Sequence, residues 1–283
     1  MPAGEKPKYQ GNNMLMEQEH LLELEKAREL LERPGLAARI TDMIGAPLEK
    51  SLKMVPAKWS ASIDKAVRLS LEKALAIAVL SLHKKTPEGV RNRSRFDKWT
   101  VIATGAGGGA MGLPGLVVEL PISTAMMLRS IADIAHSQGE DLEDMEARLS
   151  CLEVFALGGR SKHDDASETG YFAVRSLLAN SVTEAAKHLA QRGISQKGAP
   201  AMVRFLSAIS SRFGIVVSEK VAAMAVPAVG AAGGALVNGA FITHFQKIAE
   251  GHFTVRKLER IYGQEVVREA YERKAGSGLL IQD

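Results

Sequence analysis

Six glycines between Gly105 and Gly115 constrain the fold of this chain more than any other feature. Each glycine costs a helix about 1 kcal/mol relative to alanine, so a solvent-exposed helix here would be several kcal/mol less stable than an ordinary one. Such a stretch is tolerated where another helix, a bound phosphate or lipid lies against the main chain. The run therefore has three interpretations: close helix packing, a phosphate-binding loop, or a membrane-inserted hairpin.

The phosphate-loop interpretation rests on residues 107–112, which satisfy the pattern GxGxxG and follow the short apolar segment 101–104. A dinucleotide fingerprint needs this pattern between a strand and a helix, with an acidic residue ending a second strand. Pro114 is expected to interrupt a helix starting there, and the sequence indicates no second strand. Nucleotide binding by the loop Gly105–Gly115 is kept as an alternative. The glycines of this loop and packing surface are Gly105, Gly107, Gly108, Gly109 and Gly112.

A second Gly/Ala-rich run covers Val226–Phe245, in which Gly230 and Gly234 form a GxxxG pair. Such a pair leaves a groove on one helix face into which another backbone fits. The uncharged segment Val221–Ile242 is just long enough to span a bilayer, but it is weakly hydrophobic because many of its residues are Ala or Gly. Burial in protein and burial in membrane are both compatible with it.

Apolar residues recur at helical spacing along most of the chain, and aromatic residues make up only 5%. This pattern predicts an all-α, multi-helix bundle with two Gly/Ala-rich helical hairpins packed centrally. Pro114 and Glu119 are expected to cut the first glycine-rich run into pieces too short to cross a bilayer. The expected divisions are a disordered lead-in at 1–13, an N-terminal helical extension at 14–55, a helical domain at 56–274 and a C-terminal tail at 275–283.

The helix boundaries follow from proline, glycine and charge. Acidic residues gather at 140–144, where they would complement the positive end of a helix that ends near Gly158. Pro200 is expected to begin a helix, because proline is favoured in the first turn. Helices are expected at 14–33, 36–52, 56–83, 170–192, 200–224 and 249–273.

The basic residues are concentrated in one block. Residues 84–98 contain six Lys or Arg and two acidic residues, and their net charge of +4 equals that of the whole chain. A nucleic-acid-binding protein would spread its charge along a face, so the block argues against nucleic acid as a partner. Basic residues beside an aromatic and an apolar run are typical of segments anchored at an anionic membrane surface. The predicted membrane-surface residues are Arg91, Arg93, Arg95, Lys98 and Trp99.

The single cysteine, Cys151, excludes an intramolecular disulfide and a cysteine-based zinc cluster. It is expected to be a small buried hydrophobe. The N-terminal residues lack the apolar stretch of a signal peptide. A cytoplasmic location, with peripheral association at the inner membrane, is the expectation.

Six polar residues are candidates for a ligand site or pocket. Glu119 lies between apolar neighbours and is either a solvated helix-end or loop group or a partly buried acid with a raised pKa. Arg129 and Asp133 are spaced to pair on one helix face. Asn238 interrupts an apolar run, where an amide side chain often forms a hydrogen bond with a neighbouring backbone group or fixes the register of packed helices. The remaining candidates are His244 and His252.

His244 and His252 are eight residues apart, which would place them on roughly one side of a helix if Gly251 did not interrupt it. The motif HExxH and clustered Asp or His ligands are missing, so no metal site is predicted. The nucleophile elbow GxSxG is missing as well. The sequence assigns no catalytic residue and no cofactor.

Several ordered motifs resemble the EcsC family of bacterial proteins, across roughly residues 60 to 265. The motifs are TGAGGGAMGLPGLVVELPI from Thr104, MMLRSIADIAHSQGED from Met126, PAVGAAGGALVNGAFITHF from Pro227 and HFTVRKLERIYG from His252. The family is named for a protein encoded beside an ABC transporter. The resemblance implies a helical protein that is cytoplasmic or membrane-associated, and it supplies no catalytic residues.

Three functional hypotheses follow. The first is a non-enzymatic accessory protein that docks on an anionic membrane surface, or on a transporter there, through the basic block and the glycine-rich hairpin. The second is an enzyme or small-ligand binder with a pocket between the two Gly/Ala hairpins, where Glu119, Asp133, Asn238 and His244 converge. The third is a homo-oligomeric helical scaffold with an apolar surface patch.

Overall fold

The computed structural model of the chain describes residues 16–32, 35–44, 59–82, 113–159, 170–193, 199–224 and 230–273. These residues form nine α-helices and no strand, so the predicted all-α multi-helix bundle is confirmed. The helices are α1 (Gln18–Glu32), α2 (Leu36–Ile44), α3 (Ser60–Leu80), α4 (Leu113–Ser137), α5 (Met145–Leu157), α6 (Gly170–Arg192), α7 (Pro200–Met224), α8 (Gly230–Tyr262) and α9 (Gln264–Glu272).

Two sets of predicted residues lie outside the described ranges. They are the glycines from Gly105 to Gly112 and the membrane-surface residues Arg91, Arg93, Arg95, Lys98 and Trp99. The dinucleotide-like pattern at 107–112 therefore stays a sequence-based prediction.

Helix ends agree with the sequence wherever capping residues mark them. Asp144 is the N-cap of α5, and its carboxylate accepts a hydrogen bond from the backbone N–H of Ala147 at 3.1 Å. This is the geometry in which a carboxylate satisfies one of the free amides of a first helical turn. Helices α6 and α7 have the predicted bounds.

Helix α4 corrects the prediction that the first glycine-rich run is cut into short pieces. It runs without a break from Leu113 to Ser137, with Pro121 inside it. Pro114 lies in the first turn, where a proline costs no hydrogen bond because the amides there have no helical partner. Glu119 therefore lies inside a helix and not at its end or in a loop.

Helix α8 corrects two further expectations. The segment Val221–Ile242 is divided between α7, which ends at Met224, and α8, which begins at Gly230, so it is not a single spanning helix. The segment expected to form one separate helix at 249–273 instead continues α8 as far as Tyr262, and after Gly263, whose φ of 88° ends that helix, it forms α9. Gly251 does not interrupt the helix.

Gly251 has a packing role. A Cβ at this position would lie 2.8 Å from Leu31 Cγ and 2.9 Å from the carbonyl oxygen of Ala27, both in α1. Helix α1 therefore crosses α8 at a distance that only a glycine permits. The contact is reinforced by Lys257, which bonds Glu23 at 2.9 Å.

Phenylalanines from three helices form the centre of the core. Phe155 of α5, Phe213 of α7 and Phe245 of α8 have ring centroids 5.0 to 5.6 Å apart, and all three are fully buried. Tilted and edge-on arrangements at these distances are those that aromatic rings prefer. Buried residues of α1 and α2 belong to the same hydrophobic cluster, so the N-terminal helices share one core with the rest.

The end of α5 approaches α7 and α8 closely through two glycines. A Cβ on Gly158 would lie 2.4 Å from the Phe245 ring, and a Cβ on Gly159 would lie 2.2 Å from the backbone oxygen of Arg212. The first contact is with a side chain, whereas the second is with the backbone of α7. Backbone relaxes less easily than a side chain, so Gly159 is the stricter requirement.

Polar contacts fix the relative direction of α4 and α8. Gln246 of α8 donates to the Ser130 hydroxyl of α4 at 2.8 Å. Arg256, ten residues further along α8, donates at 2.9 Å to Glu140, which lies ten residues after Ser130. The two helices therefore run in the same direction and begin at the same end of the bundle.

That end exposes large apolar side chains. Val118 and Ile122 of α4 are 66% and 44% exposed, and Leu236 of α8 is 54% exposed. The first two are one turn apart and so lie on one face of α4. We call this region, defined by Val118, Ile122 and Leu236, the apolar end.

We expect the substitution Gly159→Ala to lower the free energy of unfolding by about 1–3 kcal/mol, because the new methyl group would overlap the α7 backbone. The matched control is Gly239→Ala inside α8, where nothing lies within 4 Å of an added Cβ. This control should raise the stability by about 0.5–1 kcal/mol through its better helix propensity. Urea unfolding measures both, and equal stabilities of the two variants would contradict the close approach at Gly159.

Candidate functional site

Glu119 is paired with a lysine in the interior of the bundle. Lys220 Nζ donates to both carboxylate oxygens of Glu119, at 3.0 and 2.9 Å. Lys220 is 0% exposed and Glu119 is 7% exposed. The Lys220 ammonium also lies 4.6 Å from the centroid of the Phe241 ring, within the range of a cation–π contact. The pair joins α4, α7 and α8 close to the apolar end.

Burial and pairing act in opposite directions on this lysine. Burial lowers the pKa of Lys220, while the Glu119 carboxylate acts to raise it. A buried ammonium is costly unless it is paired and hydrogen-bonded, so each member of the pair makes the other tolerable in the core. From the sequence alone, Lys220 is expected to lie outside the uncharged segment Val221–Ile242 and to flank it. The structure corrects this expectation, because Lys220 lies in the core.

Asn238 and His244 are also buried, on α8. Asn238 is 1% exposed. His244 Nε2 donates to the carbonyl oxygen of Gly158 at 2.8 Å, at the point where α5 ends. This bond satisfies one of the carbonyl groups that a helix C-terminus leaves without an internal partner. His244 therefore fixes the end of α5 against α8.

Arg129 and Asp133 lie elsewhere. Both are exposed on the outer face of α4, as is His136. Asp133 therefore does not share the interior with Glu119, and the four side chains of the predicted pocket do not all lie in one buried site. The structure brings Glu119 together with Lys220 instead.

His252 forms a buried contact with α6. Its Nδ1 lies 2.9 Å from the hydroxyl oxygen of Tyr171, and the ring is 0% exposed. Burial first, and the charges of Arg175 and Arg256 next, lower the pKa of His252 well below its usual value. The imidazole is therefore neutral at physiological pH, and its Nε2 has no hydrogen-bond partner among the described residues.

A second group of buried charges surrounds His252. Arg175 of α6 bonds Glu259 of α8 through both terminal nitrogens, each at 2.6 Å. Arg256 bonds the two oxygens of Glu140 at 2.9 and 3.0 Å, and Arg260 reaches the same carboxylate from the surface. We call the buried and half-buried members of this group the charged layer. They are Glu140, Glu153, Arg175, Arg256 and Glu259.

The sequence analysis missed the charged layer, although a signal was present. Along α8 the polar residues at 252, 256 and 259 are spaced by four and three, which places them on one helix face. Charged residues are usually exposed, so this spacing does not by itself indicate a buried face. The partners on α6 and at Glu140 lie more than 80 positions away in the chain, and they show that this face points inward.

An open polar groove lies between α3 and α7. It has a volume of about 410 Å³. Its wall on α7 consists of small side chains, and the wall on α3 carries one acid and one base. The lining residues are Asp64, Arg68, Ser207, Ser210, Ser211, Gly214, Ile215 and Ser218.

No group of three or more His, Cys, Asp or Glu residues in the described ranges has the geometry to hold a metal ion. Cys151 is fully buried and unbridged, and burial raises the pKa of its thiol far above the usual range. A thiol in this state is a poor nucleophile. The prediction that Cys151 is a small buried hydrophobe is confirmed.

The EcsC protein family model matches residues 18–258, which is most of the chain. The chain belongs to the EcsC protein family. Comparison with curated proteins and with solved structures found no significant match.

The EcsC match begins at residue 18 and so includes α1 and α2, which the resemblance drawn from residues 60 to 265 leaves out. The structure gives the physical reason, since α1 packs against Gly251 of α8 and contributes Leu24 and Leu31 to the common core. Both members of the Glu119–Lys220 pair lie within the match.

Among the described residues of this EcsC protein, two helices, α4 from Gly115 onward and α7, are long and apolar enough to cross a membrane. Of the apolar window of α4, 67% is buried inside the protein, compared with 33% for α7. Length and composition alone do not separate such helices from the core helices of a soluble protein. The first glycine-rich run thus continues into a helix of spanning length, contrary to the sequence-based expectation.

We expect Glu119→Leu and Lys220→Met each to lower the free energy of unfolding by about 3–5 kcal/mol, because each leaves the other charge buried and unpaired. The double variant should recover most of this loss. A suitable control is Glu184→Gln, which breaks the exposed pair with Arg204 and should cost less than about 1 kcal/mol. Urea unfolding measures the stability of each variant. A loss in the double variant equal to the sum of the two single losses would contradict a direct interaction between Glu119 and Lys220.

Proposed function

We propose that this EcsC-family protein docks peripherally on an anionic membrane surface through the apolar end. The observation that carries the proposal is the exposure of Val118, Ile122 and Leu236 on two helices that begin at the same end of the bundle. Exposed apolar side chains that share a face, as Val118 and Ile122 do one turn apart on α4, are typical of interaction sites. No catalytic activity is part of the proposal.

The position of the basic block in the sequence supports an anionic partner. Lys98, the last residue of the block, precedes Leu113, where α4 begins, by 15 residues (113 minus 98), so the chain keeps this end of the block within about 50 Å of the start of α4. Each Lys or Arg close to an anionic surface contributes about 1 kcal/mol of attraction. The net charge of +4 in residues 84–98 is therefore worth on the order of 4 kcal/mol.

Apolar contact supplies the second contribution. Burying one large aliphatic side chain completely is worth about 1.5–3 kcal/mol, so three partly inserted side chains add several kcal/mol. Stable attachment to a membrane usually needs two such signals, since one alone is marginal and reversible. The combination of charge and apolar contact supports a peripheral protein that binds anionic lipid in preference to neutral lipid.

We expect the double variant Val118→Asp/Ile122→Asp to lose at least about tenfold in affinity for vesicles of phosphatidylglycerol and phosphatidylcholine. Aspartate is unfavourable in the apolar phase, and its negative charge is repelled by the anionic surface. Flotation or co-sedimentation measures the binding, and high salt should weaken the wild-type protein. The matched control is Leu177→Asp/Val203→Asp, which places the same charge on exposed apolar residues of α6 and α7. Circular dichroism shows that each variant folds.

Three outcomes would overturn the proposal. An equal loss of vesicle binding in Val118→Asp/Ile122→Asp and in the control Leu177→Asp/Val203→Asp would show that the apolar end has no specific role in binding. Binding to whole membranes but not to lipid vesicles would assign the surface to a membrane protein, such as a transporter. An oligomer that dissociates in Val118→Asp/Ile122→Asp, with no vesicle binding by the wild-type protein, would make the apolar end a contact between copies of the chain.

A further inference from the structure

Carboxylates outnumber arginines in the charged layer. Arg175 uses both terminal nitrogens on Glu259, and Arg256 uses Nε and Nη2 on Glu140. Each of these arginines is thus engaged by two parallel bonds with one carboxylate, which is the strongest geometry available to the pair. Glu153, the third carboxyl group of the layer, forms no ion pair with an arginine of the described residues.

Glu153 lies on α5 and is 3% exposed. Its Oε1 atom is buried without a hydrogen-bond partner in the described part of the chain. An ionised carboxylate in this position would hold a charge away from water without a direct counterion, whereas the carboxylic acid is neutral and can donate its proton. The surroundings of Glu153 thus favour the protonated form.

We propose that Glu153 is a buried proton-binding site, and that loss of its proton as the pH rises through neutrality weakens the junction of α5, α6 and α8. In the protonated state Arg175 and Arg256 face Glu259 and Glu140, and Arg260 adds a partly exposed positive charge at Glu140. When the Glu153 O–H bond breaks, the proton passes to solvent and a third negative charge remains among the same two arginines. The new carboxylate then competes with Glu259 and Glu140 for Arg175 and Arg256.

The charges around Glu153 come from several elements. Burial raises its pKa to about 7 from the ordinary 4.5, Arg175 and Arg256 oppose the rise, and Glu146 and Glu259 add to it. Tyr171 of α6 and His252 of α8 also face the layer, and both are neutral near pH 7 because burial shifts the pKa of each toward the neutral form. Burial acts to raise the pKa of Glu140, but Arg256 and Arg260 lower it below its ordinary value, so Glu140 stays ionised.

Two further helices contact α5 without adding a counterion to Glu153. From α7, Arg212 donates to the carbonyl oxygen of Ala156 at 3.1 Å. From α3, the carbonyl oxygens of Ala78 and Val79 accept hydrogen bonds from Arg148, near the beginning of α5. The interactions with α6 and α8 therefore dominate the response to the charge on Glu153.

The direction of the pH effect follows from the two states. With a pKa of about 7 when folded and an ordinary value of 4.5 when unfolded, Glu153 binds a proton more tightly in the folded protein. Between these values unfolding releases a proton, so the stability falls as the pH rises from about 4.5 and levels off above about 7. This is opposite to the usual salt-bridged carboxylate, whose contribution to stability is lost as the pH falls.

The test compares the thermal unfolding of the wild-type protein with that of Glu153→Gln at about pH 5 and pH 8.5. Glutamine keeps the shape of the carboxylic acid without its ionisation, so the wild-type protein should lose about 5 °C or more relative to the variant over this range. Glu250→Gln is the matched control, because it removes an exposed acid from α8 and should follow the wild-type protein. Identical pH dependence in wild type and Glu153→Gln would overturn the proposal.

A measurement on the wild-type protein keeps the inference testable if Glu153→Gln fails to fold. Infrared difference spectra should show a protonated carboxyl band that disappears as the pH passes through about 7, and hydrogen exchange of α6 and α8 should become faster over the same range. A protein with no protonated carboxyl just below neutral pH, or with unchanged exchange in those helices, would also overturn it. Neither result bears on membrane binding at the apolar end.

Discussion

Helix α8 must bury one face along most of its length, and the chemistry of that face changes from apolar to charged as the helix proceeds. Its first half presents Phe241 and Phe245 to the aromatic core, and its second half presents Arg256 and Glu259. A buried charge is tolerable only with a partner. The counterions of this second half come from α6 and from Glu140, which follows α4. The packing of the surrounding helices follows from that requirement.

The helices were predictable where local chemistry decides them. Asp144 marks the start of α5 by capping it, and the bounds of α6 and α7 follow from their flanking residues. The errors arose where tertiary packing overrides local propensity. Gly251 costs helix stability by itself, but the close crossing of α1 offsets that cost, and no feature near Gly251 in the sequence identifies α1 as its neighbour.

The candidate site was predictable only in part, because pairing is a long-range property. Glu119 is identifiable from the sequence as an acid in an apolar run. Its partner Lys220 is 101 positions away, and in the sequence it resembles a charge that flanks a membrane segment. Glu153 also stands among apolar neighbours, but a single acid in such a run does not reveal whether the helix is buried on every side. Residues 147–156 of α5 are all buried, because several helices pack around α5, and their placement requires the whole fold.

The outer face of α4 favours shallow contact with a membrane over a spanning arrangement. Its exposed residues are apolar at Val118 and Ile122, but the exposed positions from Arg129 onward are polar. From position 118 to position 129 a helix rises by about 16 Å, which is roughly half the thickness of a hydrocarbon core. On the same turns of α4, Glu119 points inward and is held inside the protein by its pair with Lys220, whose separation in lipid would leave two charges unpaired. Insertion deeper than the apolar end would therefore have to bury charge, whereas contact limited to that end leaves the core intact.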